Sequence, residues 1–223
     1  TIRTSGDSSY VLASGLGRGL HTVVLQKRTE GEQGCVTVES FTADGPFMDV
    51  LLPEDRCIEF IGDSYTCGYG TESLSRNDPF QPETENCNLT YAEIAARYFG
   101  ADAIHVSHSG IGLVRNYDST VRPTMPERYG HVFDEAGDEA WDFSGYTPDI
   151  VVVYLGTNDF SCGKHPAYRQ WKKGTDDLVS QVRNAYGESV PILFVASKAS
   201  ELLGDFVRDA VKGLPNVHWA AIQ

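Results

Sequence analysis

Nowhere in the 223 residues is there an apolar run of the ~18 that a membrane-spanning helix needs. The longest apolar stretches, at 150–155 and 190–196, are strand-sized. Basic residues are scarce as well: 18 Lys and Arg stand against 31 Asp and Glu, a formal charge of −13. Such a surface repels phosphate backbones and anionic lipid, so neither nucleic acid nor a membrane is expected as a partner. A neutral or cationic substrate suits it better. The five cysteines (Cys35, Cys57, Cys67, Cys87 and Cys162) form no Cys-x-x-Cys pair, which argues against a structural zinc site. Their odd number leaves at least one thiol free. No repeat or low-complexity segment is present, and no charged-then-apolar leader follows Thr1. The last residues, 216–223, read as a strand that has only just ended, so the chain is expected to be a piece cut at both ends.

What remains is an ordinary globular mixture, 41% hydrophobic and 22% charged, of a length that allows one large domain or one medium domain with part of another. Asn88-Leu89-Thr90 matches a glycosylation acceptor, a tripeptide common by chance.

The first ~50 residues are rich in strand and turn signals. Runs at 21–28 and 35–41 are of β type, and the polar, glycine-bearing stretch 29–34 between them reads as the turn of a hairpin. Two or three strands cannot bury a core alone, so residues 1–54 are expected to be the C-terminal part of a β-sandwich, with a linker between Pro46 and Pro53.

From Arg56 the pattern changes to alternating strands and helices, the sign of a parallel α/β sheet. Strands are predicted at 57–61, 103–107, 149–155, 192–196 and 217–221. Helices are predicted at 91–99, stopping at Gly100, and at 168–186 and 201–212.

Three short segments follow strands, where open α/β sheets place their sites. In Gly62-Asp63-Ser64, a serine directly after a buried strand would display its hydroxyl at the sheet edge and could act as a nucleophile. The same Asp63-Ser64 pair would also serve as a helix cap. After the strand ending near 107 comes Ser109-Gly110-Ile111-Gly112, whose glycines let a backbone amide approach a substrate oxygen or make an ordinary turn. After the strongest strand comes Gly156-Thr157-Asn158-Asp159, where the Asn158 amide could reach a developing oxyanion or the pair could form an Asn-Asp turn. Together the three are far more specific, since acyl transfer needs a nucleophile and two or three donors converging on one oxygen. Ser64 supplies the nucleophile and an amide, Gly110 an amide, and Asn158 a side-chain donor.

These three segments resemble blocks I, II and III of the SGNH (GDSL-type) hydrolases. The longer stretches Phe60-Ile-Gly-Asp-Ser-Tyr-Thr-Cys-Gly-Tyr-Gly70, Ser109-Gly-Ile-Gly-Leu-Val-Arg-Asn-Tyr117, Pro123-Thr-Met-Pro-Glu-Arg128, Trp141-Asp-Phe143 and Leu25-Gln-Lys-Arg-Thr-Glu-Gly31 are similar to carbohydrate esterase family 2. The resemblance covers nearly the whole chain. It implies an N-terminal β-sandwich joined to a flavodoxin-like SGNH domain at 55–223. It also implies a bacterial, usually secreted enzyme that deacetylates plant polysaccharides such as xylan or glucomannan, with Ser64, Gly110 and Asn158 as its site and neither metal nor organic cofactor.

One departure concerns the fourth block of that family, an Asp-x-x-His supplying the general base, which would follow about where the chain stops. Asp102-Ala-Ile-His105 has the spacing but lies on a predicted strand, where residues three apart point to opposite faces. The true base is therefore expected to lie outside this piece. His108 and His165 fall near the blocks and are read as polar surface or supporting residues, His218 as structural, and His21 and His131 as unconnected with the chemistry. Tyr65, Tyr69 and Trp141 could face a sugar ring or pack at a rim. The expected reaction is hydrolysis of an acetyl ester through an acyl-enzyme. Two rival readings are an esterase for lipid or small esters, and a carbohydrate-binding protein without turnover.

Overall fold

Five runs rich in branched and aromatic residues form one parallel sheet: β1 (Cys57–Gly62), β2 (Asp102–Ser107), β3 (Ile150–Tyr154), β4 (Ile192–Ala196) and β5 (Val217–Ala221), in the order β2-β1-β3-β4-β5. The computed structural model describes residues 2, 6–48, 55–132, 139–198 and 200–222. Helices α1 (Ser64–Cys67), α2 (Tyr91–Phe99), α3 (Met125–Arg128), α4 (Tyr168–Tyr186) and α5 (Glu201–Val211) complete the α/β region. The expected strands and longer helices are all present, with ends within a residue or two.

Strand order dictates which face each helix covers. Crossovers between parallel strands are right-handed, so a step from β1 to β2 and a step from β3 to β4 run in opposite directions and place their helices on opposite faces. Ile58, Phe60 and Val152 accordingly pack with Ala92 and Ala96 of α2. Ile61, Val151, Val153, Ile192 and Phe194 pack on the other side with Trp171, Leu178 and Val182 of α4 and Leu203 and Val207 of α5. The direction changes between β1 and β3, so the carboxyl ends of these strands flank the crevice where such sheets bind ligands.

One acidic side chain lies within this core. Glu59 of β1 is fully buried, and its carboxylate accepts hydrogen bonds from the hydroxyls of Tyr129 (2.7 Å), Tyr146 (2.7 Å) and Tyr186 (2.6 Å). Three donors on one carboxylate replace the water it lost, and they tie the loops after α3 and before β3, and the end of α4, to the central strand. Helix α3 was not expected. It is one turn long, too short to show a periodicity, and is marked only by Glu127, whose carboxylate accepts the Thr124 N–H at 3.0 Å.

The N-terminal region departs from expectation. No strand forms among residues 6–48, and their one regular element is the 3-10 turn Gly31–Gln33. The hairpin expected over 21–41 is absent, and Val24 is 80% exposed. A two-stranded hairpin without a sheet or helix to cover its apolar face gains too little to hold together. The linker between Pro46 and Pro53 lies mostly outside the described residues.

Candidate active site

Strand β1 ends at Gly62, and the chain turns sharply into α1. A Cβ on Gly62 would stand 2.0 Å from the Thr66 hydroxyl, so only glycine permits this fold-back. The cap and the serine are separate residues: the Asp63 carboxylate accepts the Tyr65 N–H at 3.1 Å as N-cap, and Ser64 is the first helical residue, half-buried and not used as the cap. Burial pushes the Asp63 carboxyl up to about 7, with the negative charge of Asp159 adding to the effect and the Tyr65 amide opposing it.

Asn158, just past β3, ties the segments together. Its side-chain amide donates to the Ile111 carbonyl at 2.7 Å and to the Asp63 carboxylate at 3.3 Å. It therefore bonds the neighbour of Ser64 and the neighbour of Gly110 at once. The opposite amide orientation would set its oxygen against two acceptors. Gly110 has φ +77°, a conformation that favours glycine, and its carbonyl accepts the Tyr117 N–H at 2.9 Å.

Asp159 went unnoticed in the sequence beyond its place in a turn. Fully buried, it accepts the amides of Leu113 (2.9 Å), Val114 (2.8 Å) and Arg115 (2.9 Å), while the Arg115 guanidinium donates to its main-chain oxygen at 2.6 Å. Burial raises its carboxyl to about 6, against those three amides. Asp159 thus pins the loop that follows Gly110 to the loop that carries Asn158. Its position directly after Asn158 was the available signal.

The histidines lie as follows. Nδ1 of His108 is 2.8 Å from the Ser109 carbonyl and Nε2 is 3.2 Å from Glu32. His165 contacts the Pro166 carbonyl and stacks on Phe160. His105, paired in register with Phe60, contacts Glu93 at 3.2 Å. Asp102 is paired in register with Cys57, so Asp102 and His105 point to opposite faces, as the spacing implied. His21 meets the Gly17 carbonyl, His131 bridges to Ala140, and His218 is exposed on β5.

The stretch read as a hairpin turn, 29–34, lies against this site. Glu30 accepts the Ser109 N–H at 2.7 Å and the Cys67 S–H at 3.3 Å. Its own N–H donates to fully buried Glu85 at 3.0 Å. Donor atoms of Glu30, Cys67 and Glu85 lie within 4.8 Å of one another, the one such grouping among the described residues with the atoms to hold a metal ion. Burial pushes the Glu85 carboxyl up to about 7, with the Glu30 N–H opposing and the Glu30 charge adding to the effect, and burial pushes the Cys67 thiol far up. A separate open cleft of about 440 Å³ is lined by Val114, Arg115, Val121, Lys164 and His165, and by none of Ser64, Gly110 and Asn158.

Comparison with known proteins identifies the family of the chain. Residues 60–218 match the GDSL-like Lipase/Acylhydrolase family. The chain is 40% identical to a cellulase/esterase of Acetivibrio thermocellus over 82% of its own length and 22% of that protein's. It is 34% identical to an acetylxylan esterase/glucomannan deacetylase of Cellvibrio japonicus over 77% of its length and 48% of that protein's. It therefore spans half or less of the curated relatives it matches. A family two carbohydrate esterase from Clostridium thermocellum, solved with cellohexaose, superposes with a TM-score of 0.74 at 34% identity, covering 80% of this chain and 57% of that one. With the family match spanning the sheet from β1 to β5 and all three strand-end segments, the chain belongs to the GDSL-like lipase/acylhydrolase family.

Proposed function

We propose that this chain is the catalytic region of a secreted serine esterase that removes acetyl groups from plant cell-wall polysaccharides. Ser64 attacks the acetyl carbonyl, the sugar hydroxyl leaves, and water hydrolyses the acyl-enzyme. The amides of Ser64 and Gly110 and the side chain of Asn158 hold the oxyanion. The observation that carries this reading is the Asn158 amide, bonded at once to Asp63 and Ile111. At 3.3 Å the bond to Asp63 is long, so that N–H is shared with the oxyanion while the 2.7 Å bond to the Ile111 carbonyl keeps the amide in place.

Relatives named as acetylxylan esterase and glucomannan deacetylase support the substrate class. So do the rings of Tyr65, on α1, and Tyr69, just after it, 53% and 48% exposed, with Tyr69 stacked on Phe80 at 3.8 Å. The base in this reading is the histidine of an Asp-x-x-His block after residue 223. The present histidines are engaged elsewhere, His108 with Ser109 and Glu32, His105 with Glu93 and His165 with Pro166. In this reading residues 1–54 are the C-terminal part of a β-sandwich, and the strands that would cover the apolar side chains exposed at 23–25 and 36–41 come from elsewhere in the protein.

The test is release of acetate by the full-length protein from acetylated xylan and glucomannan, beside hydrolysis of a lysophospholipid. Acetate release supports the proposal. Preference for the lipid replaces the substrate class, and tight polysaccharide binding without turnover replaces the enzyme with a binding protein.

A further inference from the structure

The amide of Gly110 can serve an oxyanion only if its peptide plane is held, because an N–H that must reorient during reaction loses much of its advantage. In a planar trans peptide the N–H of Gly110 points opposite to the carbonyl of Ser109, so whatever grips that carbonyl aims the N–H. His108 grips it: Nδ1 lies 2.8 Å from the Ser109 oxygen, and the opposite nitrogen faces Glu32 at 3.2 Å. The peptide before it is held too, since the Ser109 N–H donates to Glu30 at 2.7 Å. The same oxygen of Glu30 accepts the thiol of Cys67, three residues after Ser64 on α1. One carboxylate thus joins the helix of Ser64 to the turn of Gly110.

Glu30 is itself fixed. Its N–H donates to Glu85, the Arg28 guanidinium donates to the Glu85 carbonyl at 2.9 Å, and the Cys87 N–H donates to the Arg28 carbonyl at 2.9 Å. The stretch from Lys27 to Glu32 is thus pinned to the α/β region by residues on both sides of Glu30.

We propose that Glu30 and Glu32 are positioning residues for the oxyanion site, Glu30 through the Ser109 amide and Glu32 through His108, so that the N-terminal segment completes a site otherwise built by the sheet. The inference rests on the roles given above to Ser64, Gly110 and Asn158. It also gives His108 a function, as the ring that orients a peptide.

The test is steady-state turnover of an aryl acetate by the full-length protein and its Glu30→Ala, Glu30→Gln, Glu32→Ala and Ser64→Ala variants, with thermal melting beside it. A displaced oxyanion donor costs rate rather than affinity, so Glu30→Ala is expected to lower kcat by about 10- to 100-fold, with KM within about threefold. Glu30→Gln keeps an oxygen for Ser109 and Cys67 and gains an N–H for Glu85, so it should restore kcat to within about threefold of wild type. Glu32→Ala, on a half-exposed side chain, should lower kcat by about three- to tenfold with an unchanged melting temperature. Wild-type kcat in a folded Glu30→Ala protein overturns the proposal, as does a Gln variant no better than Ala. If Glu30→Ala does not fold, Glu32→Ala decides, and full kcat there overturns it. Undiminished turnover by Ser64→Ala would instead remove the active-site assignment itself.

Discussion

Val24 and Val151 both lie in runs of branched residues with strand character, yet Val151 is fully buried in the central sheet and Val24 is 80% exposed in a region without strands. The two regions differ in where each strand finds its cover. A parallel strand comes with a crossover helix, which packs on the sheet its own strands form, so β1 to β5 and their helices close a core from local sequence alone. An antiparallel hairpin needs a facing layer from elsewhere in the chain. Between these extremes stands the stretch from Lys27 to Glu32, which has no strand yet is held by named hydrogen bonds to the α/β region. Chemistry, on this view, resides in the self-sufficient region and is trimmed by a strap from the other.

The largest effect tests where the chemistry resides. In the full-length protein Ser64→Ala is expected to lower kcat by a factor on the order of 10⁶, the usual cost of removing a serine nucleophile. In residues 1–223 alone the same change should alter little, because a serine without a positioned base is a poor nucleophile and residues that act as a unit lose their effect together. Two assays on an aryl acetate decide it. If residues 1–223 turn over as fast as the full-length protein, and His108→Ala or His165→Ala abolishes that turnover, the base lies within this region after all.

Asn158→Ala should lower kcat by about 10²–10³ in the full-length protein, the cost of one oxyanion donor. The fold should survive, since Asn158 stands at a strand end. Wild-type turnover by a well-folded variant would reduce Asn158 to a turn-forming residue.

Much of this was legible in the sequence, for identifiable reasons. The strand at Ile150–Tyr154 and the helix at Tyr168–Tyr186 carry complete local patterns, so their limits could be read within a residue. Ser64, Gly110 and Asn158 could be singled out as candidates because each follows a strand at the same end of the sheet. Glu30 could not. It reaches Ser109 across 79 residues of chain, and its neighbours Thr29, Gly31 and Gly34 have the composition of a turn. Asp159 was hidden differently, since a carboxylate that accepts three amides looks in sequence like any Asn-Asp turn.

A core substitution measures the self-sufficient region directly. Leu178→Ala, at a fully buried position on α4 beneath the sheet, should destabilise by about 2–5 kcal/mol through lost burial and the cavity left behind. Chemical denaturation of residues 1–223 reads this. A loss below about 1 kcal/mol would mean that the core repacks far more freely than its interlocked Trp171, Leu203 and Val207 suggest.

The strap predicts a pH effect of smaller size. Glu85 has its carboxyl raised from 4.5 to about 7 by burial, against the Glu30 N–H, with the Glu30 charge adding to the rise and Lys27 opposing it; Cys67 and Tyr69 also lie around this cluster. The folded protein therefore binds a proton that the unfolded chain has released, so stability should fall as pH rises from about 4.5 through about 7 and level off above that. Glu85 contributes about 1 kcal/mol per pH unit to the slope in that window. Asp63 and Asp159, raised to about 7 and about 6, lose protons in the same window, so Glu85→Gln, which keeps an acceptor for the Glu30 N–H and carries no proton to lose, should make the slope shallower by about that amount. A wild-type slope that persists in the variant would place the titration on another group.

The smallest effect sharpens the comparison most. In residues 1–223, Val24→Ala should change stability by no more than about 0.5 kcal/mol, because the side chain is 80% exposed and removing its methyl groups uncovers nothing. The same substitution should behave differently in a protein carrying the remaining strands of the proposed β-sandwich. There Val24 would face a second layer, and losing two methyl groups from a packed position should cost about 1–3 kcal/mol. Denaturation of the two proteins side by side, each with and without the substitution, measures the difference between the differences, which does not depend on how stable either parent is. A Val24→Ala cost near zero in both would mean that the run 21–28 is never covered by a sheet. The N-terminal region would then be an extended strap around an α/β enzyme rather than the end of a second domain.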